Sequence, residues 1–395
     1  MANPALAKVP GVLPVNDYTA TPAARRDRTE ADRQLRVSAL AGWLRRPEIG
    51  AIIGLAALLV FLAAVAGNVV YNPLGIKNNL SIIAQLGIIA TGACLLMIAG
   101  EFDLSIGSMI GFAGMSMAMM LKWGLPFGLG PATPLTAFTL TLALTLFIGW
   151  IIGNIVVRSG LSSFIVTLSF LFILRGATEV CFREFNDGST QISGLPDFKQ
   201  TDGFADLLGG ETFTWLFDFL YWLGWNVNRN GDQWVGGLDA RVAWWIAISI
   251  VAYIVLARTQ LGNWIYATGG NRESALANGV PVRKVKIGLF MFTAFCATVF
   301  AACQVFDTNT ADAAKGNLKE LEAIAAAVVG GAILTGGFGT VVGVVFGAMI
   351  FGLVQNAVFY IPWIDGSYYR VFLGTVLLVA AFSNENIRKR ITGGI

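Results

Sequence analysis

The strongest constraint on this chain is a succession of apolar runs, most of them near the twenty or so residues that an α-helix needs to cross hydrocarbon. They fall at 48–70, 79–99, 104–122, 134–157, 160–182, 241–257, 286–306, 320–336, 339–361 and 366–383. In a bilayer core each backbone N–H and C=O has to be satisfied inside its own segment, which makes such runs helices. The expected fold is an all-α polytopic membrane protein with about ten spans. Two runs have soft edges. The run 160–182 contains Arg175, and 320–336 is short and ends in Thr335-Gly336-Gly337-Phe338-Gly339.

The placement of the few charges orients these spans. Only 13% of the 395 residues are charged, about half the share in a soluble domain. Between Arg258 and Lys286 lie five basic residues (Arg258, Arg272, Arg283, Lys284, Lys286) and one acid, Glu273. Arg388, Lys389 and Arg390 stand against Glu385 near the C-terminus. By the positive-inside rule both segments belong in the cytoplasm. The stretch 183–240 carries nine acids against Arg183, Lys199 and Arg229, and belongs outside. A ten-span chain with both termini cytoplasmic satisfies all of these assignments. The expected organisation is a cytoplasmic tail over 1–47, a transmembrane domain over 48–383 and a cytoplasmic tail over 384–395. Within the domain, 183–240 is periplasmic and 258–286 is a cytoplasmic loop. The N-terminal tail has no apolar signal-peptide core; its stretch 34–46 suits either a short interfacial helix or a solvated tail.

Composition removes most enzyme classes. The chain has no histidine, hence no His-based acid–base pair, no Ser/His/Asp or Cys/His nucleophile and no imidazole metal ligand. The four cysteines show no CxxC spacing and read as small hydrophobes. No Gly-Lys dipeptide occurs, so a Walker A loop is absent and any ATP-driven role needs a partner ATPase. No catalytic residue and no metal site are expected.

Four motifs can carry function. In Gly100-Glu101-Phe102-Asp103-Leu104-Ser105-Ile106-Gly107 two carboxylates interrupt apolar sequence, where each costs about 2.5–3.5 kcal/mol if unpaired at the bilayer centre. Asp103 can N-cap the following helix, or the break can line a translocation path with Glu101 and Ser105. The second motif, Ser162-Ser163-Phe164-Ile165-Val166-Thr167-Leu168, offers hydroxyls that bond their own helix, or a Phe164/Thr167 face suited to a polyhydroxylated solute. Arg175 beyond it can snorkel to the headgroups. In the third, Gly269-Gly270 turns the chain, Asn271 caps a short helix from Arg272 and Glu273 to Ala277, and Asn278-Gly279 ends it. Two turns of exposed helix are unstable alone and need something to dock on; the alternative is a plain basic loop. The fourth, Glu320 to Asn356, is rich in glycines, among them Gly330, Gly331, Gly336, Gly337 and Gly339, which serve helix packing or a flexible hairpin.

In this order the motifs resemble the permease subunit of bacterial ribose/xylose-type monosaccharide ABC importers, a type II importer-like fold. The resemblance rests on Gly100 to Gly107; on Phe164-Ile165-Val166-Thr167-Leu168 with Arg175-Gly176; on Tyr266-Ala267-Thr268-Gly269-Gly270-Asn271 with Asn278-Gly279-Val280; and on Glu320 to Ala326, Gly330-Gly331 and Gly336 to Thr340. Glu101 replaces a usual glycine and Ser162 a usual proline. The outer segment is longer than the family norm around Phe213 to Trp234. Its aromatic residues suit an interfacial helix at the outer headgroups, or packing beneath a binding protein.

The resemblance implies a permease of the bacterial inner membrane, with a second permease copy, a cytoplasmic ATPase with two fused nucleotide-binding halves and a periplasmic sugar-binding protein. ATP and Mg are then bound by the ATPase and no cofactor by this chain; nucleic acid is not a partner. The 262–280 loop resembles the coupling helix seated on the ATPase. Gly269, Gly270, Asn271, Arg272, Glu273 and Gly279 are the expected coupling residues, and Glu101, Asp103, Ser105, Phe164 and Thr167 the expected pathway residues. An ion-coupled secondary transporter using Glu101 and Asp103 is the alternative; a membrane-embedded enzyme is a third class.

Overall fold

The computed structural model describes residues 47–361 and 365–391. Most of the expected N-terminal tail, including 34–46, lies outside the described residues. The helices are α1 (Pro47–Ala66), α2 (Pro73–Ile98), α3 (Ile106–Trp123), α4 (Pro134–Ser159), α5 (Ser163–Phe185), α6 (Gly203–Gly209) and α7 (Thr214–Trp222). There follow α8 (Ala240–Arg258), α9 (Gln260–Gly270), α10 (Arg272–Ala277), α11 (Val282–Thr308), α12 (Lys319–Val329), α13 (Val341–Tyr360) and α14 (Ser367–Ile391). Four two-residue strands form two antiparallel pairs: β1 (Gln191–Ile192) with β4 (Ala311–Asp312), and β2 (Glu211–Thr212) with β3 (Leu238–Asp239).

Among the described residues seven helices are long and apolar enough to cross a membrane: α1, α2, α4, α5, α8, α11 and α13. Helix α3 has 18 residues, and the apolar part of α14 covers Ser367–Val379. The run 320–336 differs from expectation. It is α12, with 11 residues, about 16 Å at 1.5 Å per residue and too short to cross. The helix stops because Gly331, Gly336, Gly337 and Gly339 all take positive φ, which the helical conformation excludes. Helix α13 then runs back along α12, with Gly343 against Gly330 and Gly347 against Ala326. Helix α2 starts at Pro73, ahead of the expected 79. Asn72 Oδ1 accepts from Gly75 N at 2.6 Å with Pro73 in the first turn, and this polar turn carries no hydropathy signal. Helix α14 continues through 384–391, where a tail is expected.

Two helices are central. The apolar windows of α2 and α11 are 83% and 78% buried, against 17% for α1 and 28% for α5. Helix α11 packs on α4, α3 and α2, and α2 on α13, α8 and α12. Small residues allow these approaches: a Cβ on Gly153 would meet Ile287 Cα at 2.9 Å, and one on Gly149 would meet Phe290 O at the same distance. Thr145 and Thr298 join hydroxyls at 2.7 Å across the α4–α11 seam.

The bundle has a basic end and an acidic end. Arg258, Arg272, Arg283 and Lys284 lie at the first, around α9 and α10. At the other, Lys77 bonds Glu211, Ser81 donates to Asp239 at 2.6 Å, and Arg241 bonds Asp307. The first two contacts clamp the 203–240 segment onto α2, and the third joins α8 to α11. The aromatic stretch is α7 followed by an irregular hairpin built around Asn226, which is fully buried and bonds Phe217 O and Val235 O and N. Phe217 is buried, whereas Trp215, Phe219 and Trp222 are exposed.

Candidate functional site: a glycine junction behind a short helix

At the basic end three backbone segments meet. Helix α9 is capped by Thr259, whose hydroxyl accepts from Gly262 N at 3.4 Å. Gly269 and Gly270 are its last residues, so they close a helix rather than turn the chain as expected. The polar stretch reads as a loop because glycines at its end mask eleven residues of helix.

Gly269 lies against the loop 99–105 and the 330–340 turn. A Cβ on it would overlap Ile98 O and sit 2.6 Å from Gly337 N. Gly337 N itself donates to Ile98 O at 2.8 Å. A Cβ on Gly336 would come within 2.7 Å of Gly100 Cα, and one on Gly337 within 2.8 Å of Gly270 Cα. Tyr266 donates to Gly339 O at 2.7 Å. Residues expected in separate roles, Gly269 and Gly270 in coupling and Gly336, Gly337 and Gly339 in gating or packing, thus form one junction. Gly330 is elsewhere, backbone to backbone against Gly343 on α13. Gly331 allows the turn between them, at φ +92°.

Beyond the junction the local chemistry builds α10 as the residue types require. Asn271 Oδ1 accepts from Ser274 N at 2.9 Å and Gly279 takes φ +77°. Ala275 is buried; Arg272, Glu273 and Leu276 are exposed.

The loop 99–105 ties the junction to α11. Asp103 is buried, and its Oδ1 accepts from Ser105 N at 2.9 Å and Ser105 Oγ at 2.5 Å. Its Oδ2 accepts from Thr293 Oγ1 on α11 at 2.7 Å. Asp103 therefore shapes the turn before α3, with Ser105 as the residue preceding that helix. Glu101 pairs with Lys286, seven residues before Thr293 and so on the same face of α11. Lys286 is expected as a loop charge; it is instead a buried helix residue, because α11 starts at Val282.

The expected pathway residues are only partly brought together. Phe102 N donates to Ser163 Oγ at 3.1 Å, and Thr167, fully buried, donates to Ser163 O at 2.8 Å. Phe164 is 54% exposed on the outside of α5 and meets none of them. Arg175 does not snorkel free: its Nε is buried without a hydrogen-bond partner, within electrostatic reach of Glu320. Tyr266 and Glu320 stand in the quoted motifs without an assigned role, whereas Thr293 and the pairing of Lys286 escape sequence reasoning. A threonine in an apolar helix looks like any self-bonding hydroxyl, and only tertiary packing puts it opposite Asp103. Among the described residues no group of three or more His, Cys, Asp or Glu is placed to hold a metal ion.

No solved structure matches the chain. Among curated proteins it is 31% identical over 304 residues to the inner membrane ABC transporter permease protein YjfF of Escherichia coli (strain K12), covering 77% of this chain and 81% of that one. It is 30% identical to the ribose import permease protein RbsC of the same strain, over 84% of this chain and 92% of the relative. Against the xylose transport system permease protein XylH, also of that strain, it is 26% identical over 86% and 92%. The family described as branched-chain amino acid transport system / permease component matches residues 75–381, and with this coverage the chain belongs to that family of membrane permeases.

Proposed function

We propose that this chain is the membrane-spanning permease subunit of an ATP-driven ABC importer that moves a monosaccharide or polyol across the bacterial inner membrane by alternating access. The observation that carries this reading is the glycine junction. Helix α10 is too short to hold itself, yet it is joined through Gly269 and Gly270 to the loop preceding α3 and the turn preceding α13. A push on α10 thereby reaches α3, α11 and α13 with little slack, since backbones in direct contact have no side chains to absorb displacement. On this reading the basic end is cytoplasmic, as are both termini. The ATPase, with two fused nucleotide-binding halves, binds ATP and Mg and seats α10 through Arg272 and Glu273. A periplasmic binding protein delivers the sugar at the acidic end, and a second copy of the chain completes the path beside Asp103, Ser105 and Thr167. Exposed Phe164 is then available to that copy. The ribose and xylose relatives support the substrate class.

The ion-coupled alternative uses Glu101 and Asp103 as an ion site. Both carboxylates already have protein partners, Lys286 for one and Ser105 with Thr293 for the other, which favours a structural role.

The test is uptake of labelled pentose into proteoliposomes containing this chain, the ATPase and the binding protein. The expected result is uptake that persists when ion gradients are collapsed and stops without ATP on the ATPase side. Uptake by the chain alone, driven by an ion gradient, overturns the reading.

A further inference from the structure

Next to the junction, α2, α8, α9 and α11 enclose an apolar groove of about 430 Å³. Its walls include Val251 and Val255 of α8, Trp264 of α9 and Phe292 of α11, and Lys284 stands at its rim. A second cavity, about 360 Å³, shares Pro281 and Lys284 with the first and adds Arg272 and Arg283. No acidic residue lines either cavity. Arg272, Arg283 and Lys284 are exposed, and no ion pair joins them to an acid among the described residues. One site thus has an apolar slot at the depth of a span and, continuous with it, an uncompensated cationic mouth at the span's end.

Gly288 sets the shape of the slot. It lies in the second turn of α11, inside the helix where glycine is unfavourable, and a Cβ built on it meets nothing within 4 Å. Backbone strain does not require glycine there. Its effect is to leave space in the wall between Val285 and Phe292.

We infer that this pair of cavities is a binding site for one anionic phospholipid, with an acyl chain in the groove over Gly288 and the phosphate held by Lys284 and Arg283. Charge complementarity and position select this occupant. Basic pockets between helices at the cytoplasmic ends of spans suit anionic headgroups, and an open apolar slot among membrane helices is filled by a lipid chain. A soluble anion satisfies the mouth and leaves the slot empty; an apolar peptide fills the slot and leaves Arg283 and Lys284 unpaired. The inference takes its leaflet from the inward placement of the basic end in the proposed function. A lipid in this site touches α9 and Pro281, immediately behind α10, and so stiffens the segment that carries motion to α11.

The experiment is native mass spectrometry of the full-length chain, delipidated in detergent and titrated with phosphatidylglycerol or with phosphatidylethanolamine of the same chains. The expected result is one tight phosphatidylglycerol adduct, weaker by about fivefold in Lys284→Ala, as one juxtamembrane charge predicts. Gly288→Leu, which fills the groove, abolishes the adduct, and Gly288→Ala weakens it; the second variant serves if the first does not fold. Equal binding of the two lipids, unchanged binding in both Gly288 variants, or displacement of the adduct by inorganic phosphate alone overturns the inference. The binding is read on the chain by itself, so its failure is separate from any failure of ATP-driven sugar uptake.

Discussion

Gly269 and Gly337 lie so close that a single Cβ on Gly269 would stand 2.6 Å from Gly337 N and overlap the Ile98 carbonyl that this N–H bonds. The hydrogen bond from Gly337 to Ile98, 2.8 Å long, runs through the space that any other residue at 269 would occupy.

Gly269→Ala is expected to force these backbones apart, at a cost of about 1–3 kcal/mol by overpacking, and to reduce transport-coupled ATPase stimulation severalfold. Gly270→Ala, whose Cβ meets nothing within 4 Å, is expected to leave both unchanged. Thermal unfolding in detergent and ATPase assays of the reconstituted importer compare the two; equal effects would count against the junction as the transmitting contact.

Thr293→Val keeps volume but strips Asp103 Oδ2 of its donor on α11. A buried acceptor left without a partner costs about 1–3 kcal/mol, so the midpoint of thermal unfolding is expected to fall, while Thr293→Ser, which keeps the hydroxyl, stays near the parent. Parallel unfolding of the two variants checks it.

The Glu101–Lys286 pair is largely buried. Removing one partner leaves an uncompensated charge, worth about 3–5 kcal/mol, whereas removing both is far milder. Glu101→Gln and Lys286→Met are each expected to destabilise the chain, and the double variant to recover most of the loss. A double-mutant cycle with additive effects would show that the pair does not interact in the membrane.

Asn226→Ala is expected to loosen the hairpin beyond α7 by leaving Phe217 O and Val235 N without their side-chain partner and Val235 O with only the bond from Gln233. Limited proteolysis should then cut between 223 and 235 at least several times faster, with the spans intact. Trp222→Ala, at an exposed position, should leave the cleavage rate unchanged.

What was legible in the sequence follows from interactions local along the chain. A span needs only its own twenty or so apolar residues, and α10 with its Asn271 cap and Gly279 end is written within nine consecutive positions. The same locality explains the failures. The run 320–336 has the composition of a span, but its glycines stop α12 at Val329, and those glycines are needed for a turn that fits Gly100 and Gly269 far away in sequence. Lys286 looks like a loop charge until α11 is seen to begin before it.

By itself the sequence determined a helical membrane permease, the basic and acidic ends, and the short helix at the basic one, because hydropathy, charge and capping act over a few residues. Only the tertiary structure decided what the special residues do. It put Gly269 against Ile98 and Gly337, Asp103 against Thr293, and Glu101 against Lys286, since backbone approach and buried polar pairing depend on which distant segments share a place in the bundle.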